Sequence, residues 1–188
     1  GYGPSWDQMF CQSNLGIVTK AGFWLQPEPE MTAAVDLSFP NFDDAGWAID
    51  ILSDLRRRDI IQHNIVFGSP VRQASVLTQR SQWYDGPGAL PESAEKAIME
   101  KFGLGWWTAK VSFFGPEYVV EGAMKQLSAL FEPRIGKLPF RTWRKGEPDE
   151  KSARGIPPTM GLQSVTWFGG RGGHLSFAPV MPQDGAKV

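Results

Sequence analysis

Thr32-Ala33-Ala34-Val35-Asp36-Leu37-Ser38-Phe39-Pro40-Asn41-Phe42-Asp43-Asp44 is the stretch from which the fold can be read. Val35, Leu37 and Phe39 alternate with Ala34, Asp36 and Ser38, so one side of the segment is apolar and it reads as a half-buried strand over Thr32–Phe39. Pro40 cannot continue a ladder and ends it. Asn41, with Asp44 three residues later, then resembles a capping pair, and Ala48, Ile51, Leu52 and Leu55 fall on one face of the helix that should follow. Arg56, Arg57 and Arg58 stand where the C-terminal end of a helix dipole favours positive charge.

Outward from this strand–helix pair the same logic predicts further elements. Gly16–Gln26, rich in β-branched and aromatic residues, reads as a strand that ends at Pro27 and Pro29, and residues 4–12 as a short helix with Pro4 in its first turn. Ile60–Phe67 reads as a strand, Val71–Arg80 as helical, and Pro91–Phe102 as a helix with Ala94, Ile98 and Phe102 in line. Trp107, Ala109, Val111 and Phe113 alternate with Thr108, Lys110 and Ser112 in another strand. After Gly115-Pro116, the residues Val120, Ala123, Met124, Leu127, Leu130 and Phe131 recur at three and four and form one helical stripe. Burying such a stripe is worth on the order of 10 kcal/mol before chain entropy is subtracted. A short strand near Leu138–Trp143 and strands at Leu162–Phe168 and His174–Val180, joined by a glycine-rich turn, complete the reading. The expected class is α+β, an antiparallel sheet with helices on one face and ferredoxin-like in its element order.

Composition narrows the function classes. The 188 residues carry a net charge of −1, which gives no footprint for nucleic acid or an anionic membrane. No apolar run is long enough to span a bilayer, and the chain reads as soluble; the compartment stays open, with the cytoplasm slightly favoured. Cys11 is the single cysteine, so no internal disulfide can form, and its neighbours supply no base or positive charge to activate a thiol. His63 and His174 are the two histidines, and neither has companions at metal-ligand spacing. No G-x-G-x-x-G opens a helix after a strand, and no G-x-S-x-G is present. Trp83 and Tyr84 are candidates to line a pocket or interface, and the basic run from Arg134 to Arg154 reads as a solvated surface segment. The start at Gly1, and the stop soon after a predicted strand, suggest a piece of a longer protein.

The remaining motif is Asn14-Leu15-Gly16-Ile17-Val18-Thr19. From the residues alone it is a turn entering a strand, with backbone N–H groups left approachable because Gly16 has no Cβ. Read with Gly1-Tyr2-Gly3-Pro4 upstream and with Gly172-Gly173-His174-Leu175-Ser176-Phe177-Ala178-Pro179-Val180 downstream, the chain resembles the vanillyl-alcohol oxidase/4-cresol dehydrogenase family of flavoproteins. Gly103-Leu104-Gly105-Trp106-Trp107 and Phe113-Phe114-Gly115 resemble the family's aromatic strand more loosely.

That resemblance implies FAD as cofactor, with Asn14, Leu15, Gly16, Ile17 and Val18 offering main-chain groups to its adenine-ribose-pyrophosphate part. Residues 1–27 would close an FAD-binding domain, and residues 28–188 would form the N-terminal part of a substrate domain. The remainder of the flavoprotein is then the partner, in an intact protein that is a homo-oligomer. The implied chemistry is oxidation of a para-substituted phenol or related alcohol by hydride transfer to flavin N5. The family's phenolate-binding and acid–base residues fall outside the matched stretches, so no catalytic residue is assigned. Ser5-Trp6 and Gln8 depart from the family's opening motif, which leaves the substrate open. The alternative is a stand-alone ferredoxin-like module that binds a small molecule or dimerises without flavin.

Overall fold

A computed structural model describes residues 3, 6–10, 13–148, 159–169 and 185. Its elements are α1 (Trp6–Met9), β1 (Met31–Phe39), α2 (Asp44–Arg57), β2 (Val66–Gly68), α3 (Pro70–Ala74), α4 (Glu92–Phe102), β3 (Trp107–Gly115), α5 (Glu117–Ile135) and β4 (Arg141–Arg144), with 3-10 turns at Arg80–Gln82 and Thr159–Thr166. The four strands run in the order β2-β3-β1-β4 with every pairing antiparallel. This is the split β-α-β arrangement of the ferredoxin-like fold, with residues 69–106 inserted between β2 and β3.

The alternation in β1 places its side chains as expected. Ala33, Val35, Leu37 and Phe39 face inward beside Ala109, Val111 and Phe113 of β3, in the register Val35 to Val111 and Leu37 to Ala109. Ala48, Leu52 and Leu55 of α2 and Val120, Ala123, Leu127 and Phe131 of α5 close the core from that face. Leu130, counted in the stripe from spacing, lies instead at its edge and is 38% exposed. Phe39 is the hub. Its ring lies 5.6 Å from Trp47, 5.7 Å from Phe67 and 6.1 Å from Phe131.

The Asn41/Asp44 pair works in the reverse sense to a simple side-chain cap. The Asp44 carboxylate accepts the Asn41 backbone N–H at 2.9 Å and the Trp47 indole N–H at 3.0 Å, which ties the strand exit to the first turn of α2. At the other end Asp59 adopts φ 54°, and the N–H groups of Ile60 and Ile61 return to the Leu55 carbonyl. That left-handed turn pulls Ile60 and Ile61 into helix-capping bonds and the core, so the strand predicted for Ile60–Phe67 is confined to Val66–Gly68.

Other expectations change for similar reasons. The Val71–Arg80 helix is only Pro70–Ala74, capped by Ser69, because the chain turns at Ser75 and again at Arg80–Gln82. The strand near Leu138–Trp143 is Arg141–Arg144, paired to Met31–Ala34. Leu162–Phe168 is no strand: the segment coils into a 3-10 turn that carries Trp167 into a second small core with Ala74, Ile98, Trp83 and Phe102. The helix expected at 4–12 is described as helical only at Trp6–Met9, and no strand forms over Gly16–Gln26. The strand predicted at His174–Val180 lies outside the described residues, as do Cys11 and His174.

The helices do not all share one face. Gln73 of α3 donates to the Thr108 hydroxyl at 2.8 Å, and Thr108 points away from α2 and α5, so the insertion folds back over the opposite side at the start of β3. Gly105 makes this crossing possible. A Cβ there would stand 2.2 Å from the Phe39 carbonyl oxygen, so only glycine fits.

Candidate cofactor-facing arm

Before the sheet begins, residues 13–30 run as an extended arm. Ser13 donates its hydroxyl to the Met9 carbonyl at 2.6 Å and accepts the Leu15 N–H at 3.4 Å, which turns the chain at Asn14 and Leu15. Gly16 follows, passing so close to Phe10 that a Cβ would sit 3.0 Å from its ring. Beyond that turn the side chains are bare: Ile17 is 92% exposed and Trp24 fully so, with Phe23 and Leu25 little different. Aromatic and aliphatic residues of this size normally bury much of their area, and several in a row without cover are the kind of surface at which proteins associate.

The turn has the character that a group held by main-chain donors would need. Asn14, Leu15, Gly16, Ile17 and Val18 are exposed, and the Leu15 N–H is held by the Ser13 hydroxyl. None of the five carries a charge, so an anionic ligand would meet peptide dipoles here and its counter-charges elsewhere.

The other residues singled out by sequence have structural partners. Trp83 donates its indole N–H to the Thr78 hydroxyl at 3.0 Å and packs on Phe102. Arg80 knots the following loop, donating to the carbonyls of Tyr84, Gly86 and Gly88 at 2.8–3.0 Å while lying over the Tyr84 ring. From the basic run, Arg134 stacks on Trp47, Arg141 pairs with Asp36 at 2.8 Å, and Arg144 pairs with Glu117. Lys151 and Arg154 lie outside the described residues.

His63 is partly buried, and burial together with the nearby Lys110 charge lowers its pKa, offset in part by the Asn64 backbone. It therefore stays neutral near pH 7, with no carboxylate among these causes to orient it as a base. Among the described residues no group of three or more His, Cys, Asp or Glu could hold a metal, and no helix is long and apolar enough to cross a membrane. An open groove of about 460 Å³ between α2 and β2 is lined by Leu52, Ile65, Phe67 and the arginines 56 and 57. Asp54 and Asp59 lie within ion-pair reach of those arginines, so their charge is locally balanced.

Sequence reasoning missed one structural feature, the acidic residues at the root of the arm. Glu30 accepts the Glu117 N–H at the start of α5 at 3.3 Å, and Glu28 accepts the Gly146 N–H at 3.5 Å. The available signal was the alternation Pro27-Glu28-Pro29-Glu30, which reads only as a strand stop when taken alone.

No family model matches the chain. It is 31% identical over 194 aligned positions to the flavoprotein subunit of 4-cresol dehydrogenase [hydroxylating] from Pseudomonas putida, matching along its whole length and spanning 37% of that protein. It is 25% identical over 147 positions to 1'-carboxy-chondrochloren decarboxylase from Chondromyces crocatus, covering 26% of it. Among solved structures, p-cresol methylhydroxylase with substrate bound superposes with a TM-score of 0.73 at 30% identity, over 92% of this chain and 35% of that one. The 4-ethylphenol oxidase of Gulosibacter chungangensis shares the fold, with a TM-score of 0.76 over 99% of this chain and 38% of that one. The chain thus spans between a quarter and two fifths of the relatives it matches, and over its whole length it resembles the 4-cresol dehydrogenase members of the vanillyl-alcohol oxidase family of flavoproteins.

Proposed function

We propose that the protein containing this chain is an FAD-dependent oxidoreductase that oxidises a para-substituted phenol or a related alcohol. In this reading residues 1–27 end the FAD-binding domain and residues 28–188 begin the substrate domain. The observation that carries it is the 31% identity, sustained over the whole chain, to a 4-cresol dehydrogenase flavoprotein subunit. The exposed turn at Asn14–Val18 adds support, because it is not packed beneath its own domain and its peptide groups are approachable.

FAD would supply the two-electron chemistry, accepting a hydride at N5 from the benzylic carbon of the substrate. This chain's own contribution is binding and enclosure. The backbone of Asn14, Leu15, Gly16, Ile17 and Val18 would offer main-chain groups to the adenine-ribose-pyrophosphate portion, with Gly16 allowing close approach. The apolar arm beyond it docks on the rest of the flavoprotein and keeps water from that seam.

The test is the full-length protein, purified and examined for a bound flavin spectrum, then mixed anaerobically with 4-cresol, 4-ethylphenol and an aromatic alcohol. Bleaching of the flavin band by at least one of them is expected. Because one relative is named as a decarboxylase, a carboxylated substrate with CO₂ release as the readout belongs in the same panel. A colourless protein that binds no added FAD overturns the reading. It would favour the second one, a flavin-free ferredoxin-like binding or dimerisation module, which the four-stranded sheet with its own core supports.

A further inference from the structure

The root of the arm is built differently from the arm. In Gln26-Pro27-Glu28-Pro29-Glu30 each proline fixes its own φ and holds the preceding residue extended, so the stretch is a semi-rigid spacer, not a hinge. Its far end is fastened to two separate elements. The Glu30 carbonyl accepts the Lys145 N–H at 2.9 Å, just past β4, and the Glu28 carboxylate takes the next N–H, of Gly146. Glu30 Oε2 accepts the Glu117 N–H of α5 at 3.3 Å.

That last bond fills a gap. Pro116, at the N-cap of α5, has no side chain that can accept an N–H from the first turn, and none is accepted there. Glu30, 87 residues earlier in the chain, provides the missing acceptor and places its negative charge at the positive end of the helix dipole. Arg144 braces the same corner by pairing with Glu117, and that contact holds its guanidinium even more firmly protonated.

We infer that Pro27–Glu30 is a strut that fixes the angle at which the arm leaves the sheet, with Glu28 and Glu30 as its positioning residues. Under the flavin reading proposed above, on which this role rests, the strut keeps Asn14–Val18 in register with the substrate domain. It acts through placement and touches no substrate.

The experiment uses the full-length protein in a Cys11→Ser background, with spin labels at Ala21→Cys on the arm and Lys125→Cys on the outer face of α5. The parent should give one narrow distance distribution. Glu28→Ala/Glu30→Ala and Pro27→Gly/Pro29→Gly should broaden or shift it, while Glu28→Gln/Glu30→Gln, which keeps the acceptor oxygens, should restore most of the parent's shape. In unlabelled protein the alanine pair should raise the FAD Kd about fivefold and lower kcat, with KM for the phenol little changed. Faster hydrogen exchange at the first turn of α5, with an unchanged distance distribution, would reduce Glu30 to a helix cap and overturn the strut. If the parent proves flavin-free, the flavin reading fails by itself, and the distance measurement still decides for or against the strut.

Discussion

The sheet body and the arm are made of equally apolar residues and treat them in opposite ways. In the body, Phe39, Phe113 and Phe131 are buried to within about a hundredth of their surface; in the arm, Phe23, Trp24 and Leu25 are each at least 80% exposed. The body accounts for its own sequence, since each inward residue of β1 meets a partner on β3, α2 or α5. The arm does not: Ile17, Phe23, Trp24 and Leu25 find little cover among the described residues. Apolar content therefore points to folding in one region and to assembly in the other.

The sharpest way to break this contrast is Phe39→Ala. It removes the ring that Trp47, Phe67 and Phe131 share, and should cost about 3–5 kcal/mol in a denaturant titration of the 188-residue chain. Gly105→Ala comes next. Its methyl meets the Phe39 carbonyl, so the crossing into β3 must shift, with an expected loss of about 1–3 kcal/mol in the same assay.

A smaller effect, dependent on pH, follows from His63. Its folded pKa is below the ordinary value of 6.5, so the native state binds fewer protons than the unfolded chain. Its contribution to stability is full above pH 6.5 and falls away on acidification toward the lower folded value. His63→Asn should flatten that part of the stability–pH curve. Smallest of all is Trp24→Ala, which should change the stability of the 188-residue chain by less than about 0.5 kcal/mol, since nothing is packed on the ring. In the full-length protein the same change should weaken flavin retention, and equal effects in both settings would erase the distinction drawn here.

The body was legible because short-range patterns and long-range packing agree in it. Alternation fixed β1 and β3, and three–four spacing fixed α4 and α5 to within a few residues. Gly16–Gln26 has the composition of a strand, yet a strand exists only when a ladder partner is at hand, and composition cannot report one. Ile60 and Ile61 misled for another reason, since a left-handed Asp59 sends them to cap a helix. Leu162–Phe168 reads as a strand from its residues, whereas the burial of Trp167 against α3 and α4 decides its shape. For the arm, legibility came from wording instead of periodicity: the turn at Asn14–Val18 was recognised through resemblance, and the flavin role assigned to it stays a proposal that the spectrum of the intact protein decides. The strut at its root was invisible, because Glu30 and Glu117 meet only through the fold.

The strand order carries a consequence for synthesis. β1 occupies the middle of the sheet yet is made first, so Val35 has no neighbour until Val111 leaves the ribosome, and Ala34 lacks its second neighbour until Arg141 does. Through that interval the chain presents a largely apolar strand with both edges open, a state in which nascent chains are prone to aggregate. Asp36 and Ser38, polar and exposed on the outer side of β1, interrupt that strand and guard the emerging polypeptide during the wait.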